Sequence, residues 1–147
     1  MIHFDTNFLI QITVAGSPAH VRFQTWAKAQ EEFNISSIAW GEFLCGPFGA
    51  TAESLARQIF PNPEPLLPND AALAAKLFNQ TGRRSRTLAD CMIAAVAIRC
   101  GAQLATVNTT DFQPMAQYGL LLGIGFIFPL LYILPVLITL NANNENT

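Results

Sequence analysis

The chain has 147 residues, about one domain's length and enough to bury a single sizeable core. Charged side chains make up only 12% of it, against a usual share of about 25%, and the net charge is -2 with no basic or acidic tail. No global field therefore marks the chain as a nucleic-acid binder or as a protein for acidic substrates.

In chain order, Met1 to Phe4 reads as a short buried strand. Asp5, Thr6 and Asn7 follow, and Thr6 or Asn7 is placed to cap a helix over Phe8 to Val14. Gly16, Ser17 and Pro18 break that helix, and His20 to Glu32 reads as the next. Phe33 to Ile35 is a second strand. Ser36 or Ser37 then caps a helix carrying Ile38, Trp40, Phe43 and Leu44, which Gly46-Pro47 ends. Ala50 to Phe60 is helical by pattern, and the proline-rich stretch 61–65 is a loop. Asn69 or Asp70 caps a helix over Ala71 to Gln80, and Gly82 to Arg86 is a polar, basic connection. Thr87 opens a strong helix that runs to about Arg99 and stops before Gly101. Gln103 to Val107 is a third strand, with Asn108 to Asp111 at its end. Short strands alternating with helices indicate an α/β fold with a parallel sheet covered on both faces.

The three cysteines, Cys45, Cys91 and Cys100, form no CxxC pair, and His3 and His20 lie far from any such pair, which argues against a zinc site. The N-terminus MIHFDTNFLI lacks the basic region of a secretory signal. The cysteines read as small apolar packers in a reducing cytoplasm.

There are four aspartates, Asp5, Asp70, Asp90 and Asp111, and three of them fall at one place in such a fold. Asp5 and Asp111 lie at the C-terminal ends of strands, where open parallel sheets place their ligand crevice. Glu42 and Asp90 lie in the early turns of helices that open onto the same edge. Glu42 is flanked by Ile38, Ala39, Phe43 and Cys45, which read as core. Asp90 is followed at i+3, i+4, i+7 and i+8 by Ile93, Ala94, Ala97 and Ile98, a buried stripe, so its carboxylate must be paired, protonated or bound to a cation. Two unit charges about 4 Å apart repel by about 4 kcal/mol at an effective dielectric near 20. No lysine or arginine adjoins Asp5, Glu42 or Asp111 in sequence, so the simplest neutraliser of such a rim is a hard divalent cation, Mg2+ or Mn2+. Each acid also has a plainer reading. Thr87 to Asp90 has capping-box spacing, Asp5 and Asp111 suit turns, and Glu42 suits an exposed helix face.

Three stretches, DTNFLI (Asp5 to Ile10), SSIAWGEFLCG (Ser36 to Gly46) and LADCMIAAVAIRCGAQLATVNTTDF (Leu88 to Phe112), resemble the PIN-domain ribonucleases, in particular the VapC-type toxins of toxin-antitoxin pairs. The resemblance implies a three-layer α/β/α sandwich around a central parallel sheet. It implies a Mg2+- or Mn2+-dependent endoribonuclease held inactive by a cognate antitoxin, and a homodimer. Carried over residue by residue, Asp5, Glu42, Asp90 and Asp111 match the acidic quartet, and Thr6 and Asn108 match the flanking polar positions. Asp5 and Asp90 look like the direct metal ligands. Glu42 and Asp111 would complete the shell, partly through water. Hydrolysis would then use one metal ion, or two about 3.5 to 4 Å apart, to orient a water for in-line attack on an RNA phosphodiester. Arg83, Arg84 and Arg86 are three of eight basic residues, placed where a helix N-terminus disfavours cations, which suggests a grip on RNA phosphate; a solvated loop is the alternative.

The end of the chain departs from the family pattern, in which a short final strand follows soon after the DF pair. Residues 1–118 form the nuclease-like unit, 119–140 (GLLLGIGFIFPLLYILPVLITL) carry no charge, and 141–147 are a polar terminus. Twenty-two helical residues at about 1.5 Å each reach about 33 Å, enough to cross a bilayer core. The run reads as a membrane anchor, as an aberrant end replacing the last strand, or as a chain whose first part, Leu120 to Phe128, still supplies that strand. The rival functions are a catalytically impaired module that binds an antitoxin and a membrane-tethered variant.

Overall fold

The computed structural model describes residues 1–83 and 87–123. Four parallel strands form one sheet in the order β2-β1-β3-β4: β1 (Ile2–Phe4), β2 (Phe33–Ile35), β3 (Gln103–Ala105) and β4 (Leu121–Leu122). The register pairs Phe4 with Ile35 on one side and with Ala105 on the other, and Gln103 with Leu121. Successive strand side chains point to opposite faces, yet Ile2, His3 and Phe4 are all buried, so both faces of the sheet are covered. This is the α/β sandwich expected from the alternation of elements.

Seven α-helices occur among the described residues. They are α1 (Thr6–Ile12), α2 (Pro18–Lys28), α3 (Ser37–Leu44), α4 (Ala50–Ile59), α5 (Pro68–Gln80), α6 (Leu88–Arg99) and the short α7 (Thr109–Phe112). Phe4 anchors one face. Its ring meets Phe8 of α1, Phe23 of α2, Phe33 of β2 and Phe60 just after α4, edge-on, with centroids 5.0 to 6.0 Å apart. His3, next along the strand, lies on the other face and feels the charges of Glu64 and Arg99. Burial lowers its pKa to about 4, so it is neutral at pH 7.

Several helix starts differ from the sequence expectation for local reasons. Asp5, rather than Thr6 or Asn7, is the cap residue of α1, because the helix begins at Thr6 with no gap after the strand. Ser17 caps α2 by accepting the His20 N–H at 3.0 Å, and that helix ends at Lys28, short of Glu32. Ser36 caps α3 through the Ala39 N–H at 3.1 Å. Leu67, not Asn69 or Asp70, precedes α5, since Pro68 fits the first helical position, where no N–H is needed. Asp70 instead accepts the Leu67 N–H at 2.8 Å and binds Arg99. β3 stops at Ala105, two residues before Val107. Of the cysteines, Cys91 is buried and Cys100 half-buried, while Cys45 is exposed at the end of α3.

Gly101, at φ +60°, ends α6 in the left-handed conformation. Gly119, at φ +102°, turns the chain from a 3-10 helix (Gln113–Tyr118) into β4, and the Gly123 N–H then donates to the Leu104 carbonyl at 2.7 Å. The sheet thus runs past residue 118, and the apolar run opens as an edge strand. Its remainder, 124–140, lies outside the described residues, as do 141–147, Arg84 and Arg86. Among the described residues no helix is long and apolar enough to cross a membrane.

One charged cluster ties α5 to α6. Arg99 Nε donates to the two Asp70 oxygens at 2.8 and 3.0 Å, Nη1 to Glu64 at 2.8 Å and Nη2 to the Pro65 carbonyl at 2.8 Å. Asp70 is 2% exposed, so removing its partner leaves a buried charge uncompensated. Arg99→Ala is expected to cost about 3 kcal/mol in urea unfolding, at the lower end for a broken buried pair because Arg99 itself reaches water. Arg57→Ala, which breaks an exposed pair with Glu53, should cost less than about 0.5 kcal/mol.

Candidate active site

The C-terminal edge of the sheet gathers side chains from four elements. The parallel pairing continues one step beyond β1 and β3, since the Asp5 N–H donates to the Ala105 carbonyl at 2.9 Å. Asp5 is thereby set beside Thr106, whose hydroxyl donates to Asp5 Oδ2 at 2.9 Å. Thr106 Oγ1 in turn accepts the Asn108 N–H at 2.9 Å, and Asn108 Nδ2 donates to Asp111 Oδ2 at 2.6 Å. A chain of hydrogen bonds therefore links Asp5 to Asp111. On the other side, the Thr6 hydroxyl donates to Glu42 Oε2 at 2.6 Å and lies 3.3 Å from the Ala39 carbonyl. Thr6 and Asn108 thus each hold one of the acids.

Asp5 is 2% exposed. Burial pushes its carboxyl up from 3.8 to about 6; hydrogen bonds from Thr106 and the backbone oppose the rise, and the Glu42 charge adds to it. Asp90 sits in the first turn of α6, half-buried, and is also raised to about 6. Burial is again the main cause, followed by the charges of Asp5, Asp111 and Glu42. Asp90 thus feels the charges of the other three acids. Ile93, Ala94 and Ala97 are buried on the same helix, so Asp90 stands at the head of a core-facing stripe, and Thr87 makes no capping bond with its side chain.

Glu42 departs from the sequence reading. It is exposed, not enclosed by core neighbours. Ala39 and Phe43 carry the buried face of α3, while Ile38 is half-buried and Cys45 exposed, which leaves Glu42 at the margin of that face, where its side chain reaches Thr6. Thr106 was not visible as a functional candidate. Its signal is the strand register, because the residue after β3 must lie beside the residue after β1. Arg83 is exposed, with φ +50°, ahead of α6; its neighbours Arg84 and Arg86 are outside the described residues.

Among the described residues no three acids or imidazoles are drawn close enough to grip a single ion as they stand. The donor chemistry nevertheless suits a hard divalent cation, being all carboxylate and hydroxyl oxygen, with two carboxyls whose pKa values are raised by burial and mutual repulsion.

The PIN domain family model matches residues 2–117. Among solved structures, the chain is similar to VapBC2 from Rickettsia felis bound to a DNA fragment from its promoter, with 21% identity, TM-score 0.64, and 83% of this chain and 97% of that one covered. It is similar to a toxin-antitoxin complex from Klebsiella pneumoniae, with 28% identity, TM-score 0.61, and 76% and 90% covered. It is also similar to VapC20 from Mycobacterium tuberculosis, described as a sarcin-ricin loop cleaving toxin, with 19% identity, TM-score 0.54, and 70% and 85% covered. No curated protein matches the chain in sequence.

The raised carboxyls fix the sign of a pH dependence. Between about pH 4 and pH 6 the folded protein retains protons on Asp5 and Asp90 that the unfolded chain has released, so stability falls as pH rises through that window. In buffer stripped of divalent cations, the melting temperature should drop between pH 4.5 and pH 7. Asp90→Asn should flatten that slope and raise the melting temperature at pH 7, which differential scanning calorimetry reads directly.

Proposed function

The chain belongs to the PIN domain family, and on that footing we propose that it is a metal-dependent endoribonuclease, the toxin half of a type II toxin-antitoxin pair. One observation carries the reading: four carboxylates from separate elements act on one sheet edge, and Asp90 feels the other three. A site of that charge is poised for a cation and, through it, for a phosphodiester. The similarity to solved toxin-antitoxin assemblies supports the assignment of a cognate antitoxin as the partner, and a homodimer is part of the same proposal. The nuclease machinery is assigned to residues 1–118.

Asp5 and Asp90 would hold Mg2+ or Mn2+ directly, with Glu42 and Asp111 completing the shell. When bound, such an ion activates a water and shields the charge that builds on the phosphorus oxygens. The protein's part is positional. Thr106 fixes the Asp5 carboxylate, Thr6 fixes Glu42, and Asn108 fixes Asp111, so each of these three acids has an oxygen held in place. Arg83, with Arg84 and Arg86, is assigned the RNA phosphates flanking the scissile bond.

The test is RNA cleavage by the full-length protein with and without Mg2+ or Mn2+. Cleavage should require the ion and fall more than about 100-fold in Asp90→Asn, a larger loss than the 10- to 100-fold typical of groups that merely orient a ligand. A folded wild type that binds Mn2+ yet cuts no RNA would replace this reading with that of a non-catalytic, antitoxin-binding module. Thr106→Val should behave as a positioning variant. The Mn2+ concentration for half-maximal cleavage should rise about 10-fold, with the rate at saturating metal much less affected.

A further inference from the structure

Beside the acidic edge, the end of α5, the start of α6, α7 and the 3-10 helix leave a small recess of about 10 Å3. It is lined by Thr81, Thr87, Asp111, Pro114 and Met115. That volume admits one group the size of a water oxygen, and not a whole nucleobase or phosphate.

The walls are rich in hydrogen-bond acceptors. The Thr81 hydroxyl donates its hydrogen to the Leu77 carbonyl at 2.8 Å, so toward any other neighbour its oxygen accepts. The Cys91 thiol is a second partner of that oxygen, which leaves one lone pair for the recess. Asp111 brings a carboxylate, one oxygen of which receives the Asn108 amide at 2.6 Å. Thr87 adds a second hydroxyl, able to donate or to accept. Pro114 and Met115 close the recess with apolar surface. An anionic phosphate oxygen is repelled here by Asp111. A small neutral O–H group, which gives one hydrogen bond and receives another, is matched.

The position of the recess says which O–H group can reach it. Asp111 acts on Asp90 at the carboxylate edge, so the recess adjoins the place where a phosphodiester would be cut. The ribose is the part of a nucleotide bonded directly to that phosphate. Its 2′-OH is what lets a protein tell RNA from DNA at a given site. Hydrolysis by a metal-activated water does not use the 2′-OH as nucleophile, and arginine contacts to phosphate are alike on both polymers. Selection of RNA by such a nuclease therefore needs a separate contact with the sugar.

We propose that the recess formed by Thr81, Thr87 and Asp111 receives the 2′-OH of a ribose adjoining the scissile phosphate and so selects RNA over DNA, an inference that rests on the nuclease reading above. Thr81 is the specificity-determining residue, because its oxygen accepts the sugar's hydrogen.

The test uses the full-length protein with Mn2+ and the RNA cleaved in the assay above. That RNA is resynthesised as a short oligonucleotide, either all ribose or with a single 2′-deoxy nucleotide on one side of the cut or the other. In the wild type, one of the two deoxy substitutions should lower kcat/KM about 5- to 10-fold, the effect of one neutral hydrogen bond. Thr81→Val should lower cleavage of the all-ribose substrate by a similar factor and abolish the sensitivity to that substitution. Thr81→Ser, which keeps the hydroxyl, should restore it. Thr87→Val carries the same expectation and serves where Thr81→Val does not fold. Equal losses on ribose and deoxy substrates in the valine variants would overturn the proposal and leave these threonines structural. So would a wild type that cuts RNA but is indifferent to both deoxy nucleotides, with the nuclease reading left standing. A higher Mn2+ requirement in Thr81→Val with sugar discrimination intact would give the recess to a cation instead. Sensitivity to inosine in place of guanosine, lost in Thr81→Val, would give it to a base. Absence of any RNA cleavage would remove the nuclease reading and this proposal with it.

Discussion

The pairing of β1 with β3, Phe4 opposite Ala105, is the constraint on which the rest of the site depends. It extends by one backbone hydrogen bond, from Asp5 to the Ala105 carbonyl, and so fixes Asp5 next to Thr106. On the other flank, Phe4 opposite Ile35 sets Ser36 at the same edge, and Ser36 caps α3. Glu42 then falls within reach of Thr6, the first residue of α1. Two strand registers and two helix starts, all specified within short stretches, therefore locate three polar side chains to hydrogen-bonding precision. The sheet has to be parallel for this. In an antiparallel pair the residue following one strand would lie beside the residue preceding its neighbour, and the acids would be dispersed between two edges.

Concentrating carboxylates there carries a folding penalty. Asp5 is almost wholly removed from water, and Asp90 sits beside three like charges. Both respond by holding protons more tightly, with burial the main cause and neighbouring like charges adding to it. The contrast with Asp70 is instructive. Asp70 is just as buried, but it has Arg99 and a backbone N–H as partners and joins two helices. Of two equally buried aspartates, one is met by a full positive charge and the other only by neutral hydrogen-bond donors, and the difference separates a structural acid from a candidate ligand.

Much of this was legible in the sequence, because it follows from local chemistry. Serines before apolar helical stretches, glycines after them and short β-rich runs predicted β1 to β3 and α1 to α6 to within a few residues, whereas α7 and the 3-10 helix after it carry no such signal. The positions of Asp5 and Asp111 after strands placed them at one edge. What was missed is non-local. Thr106 is unremarkable in the run LATVNTT and becomes significant only through the register of β3 against β1. Arg99 reads as a cation at the end of α6, a favourable place for one, whereas it is committed to Asp70 and Glu64 from a distant stretch of chain. Glu42 is exposed although its neighbours in sequence are apolar, because neighbours in sequence are not neighbours in space. On a helix the buried stripe of Ala39 and Phe43 leaves position 42 at its border.

The carboxylate edge is not mechanically separate from the apolar cavity of about 550 Å3 that α1 to α4 leave between them. Thr6 holds Glu42 from the first residue of α1, and Leu9 and Ile12 on the same helix wall the cavity. Glu42 itself is the residue before Phe43, another wall. Any occupant of the cavity that shifted α3 relative to α1 by as little as an ångström would stretch the 2.6 Å Thr6–Glu42 hydrogen bond beyond a useful length.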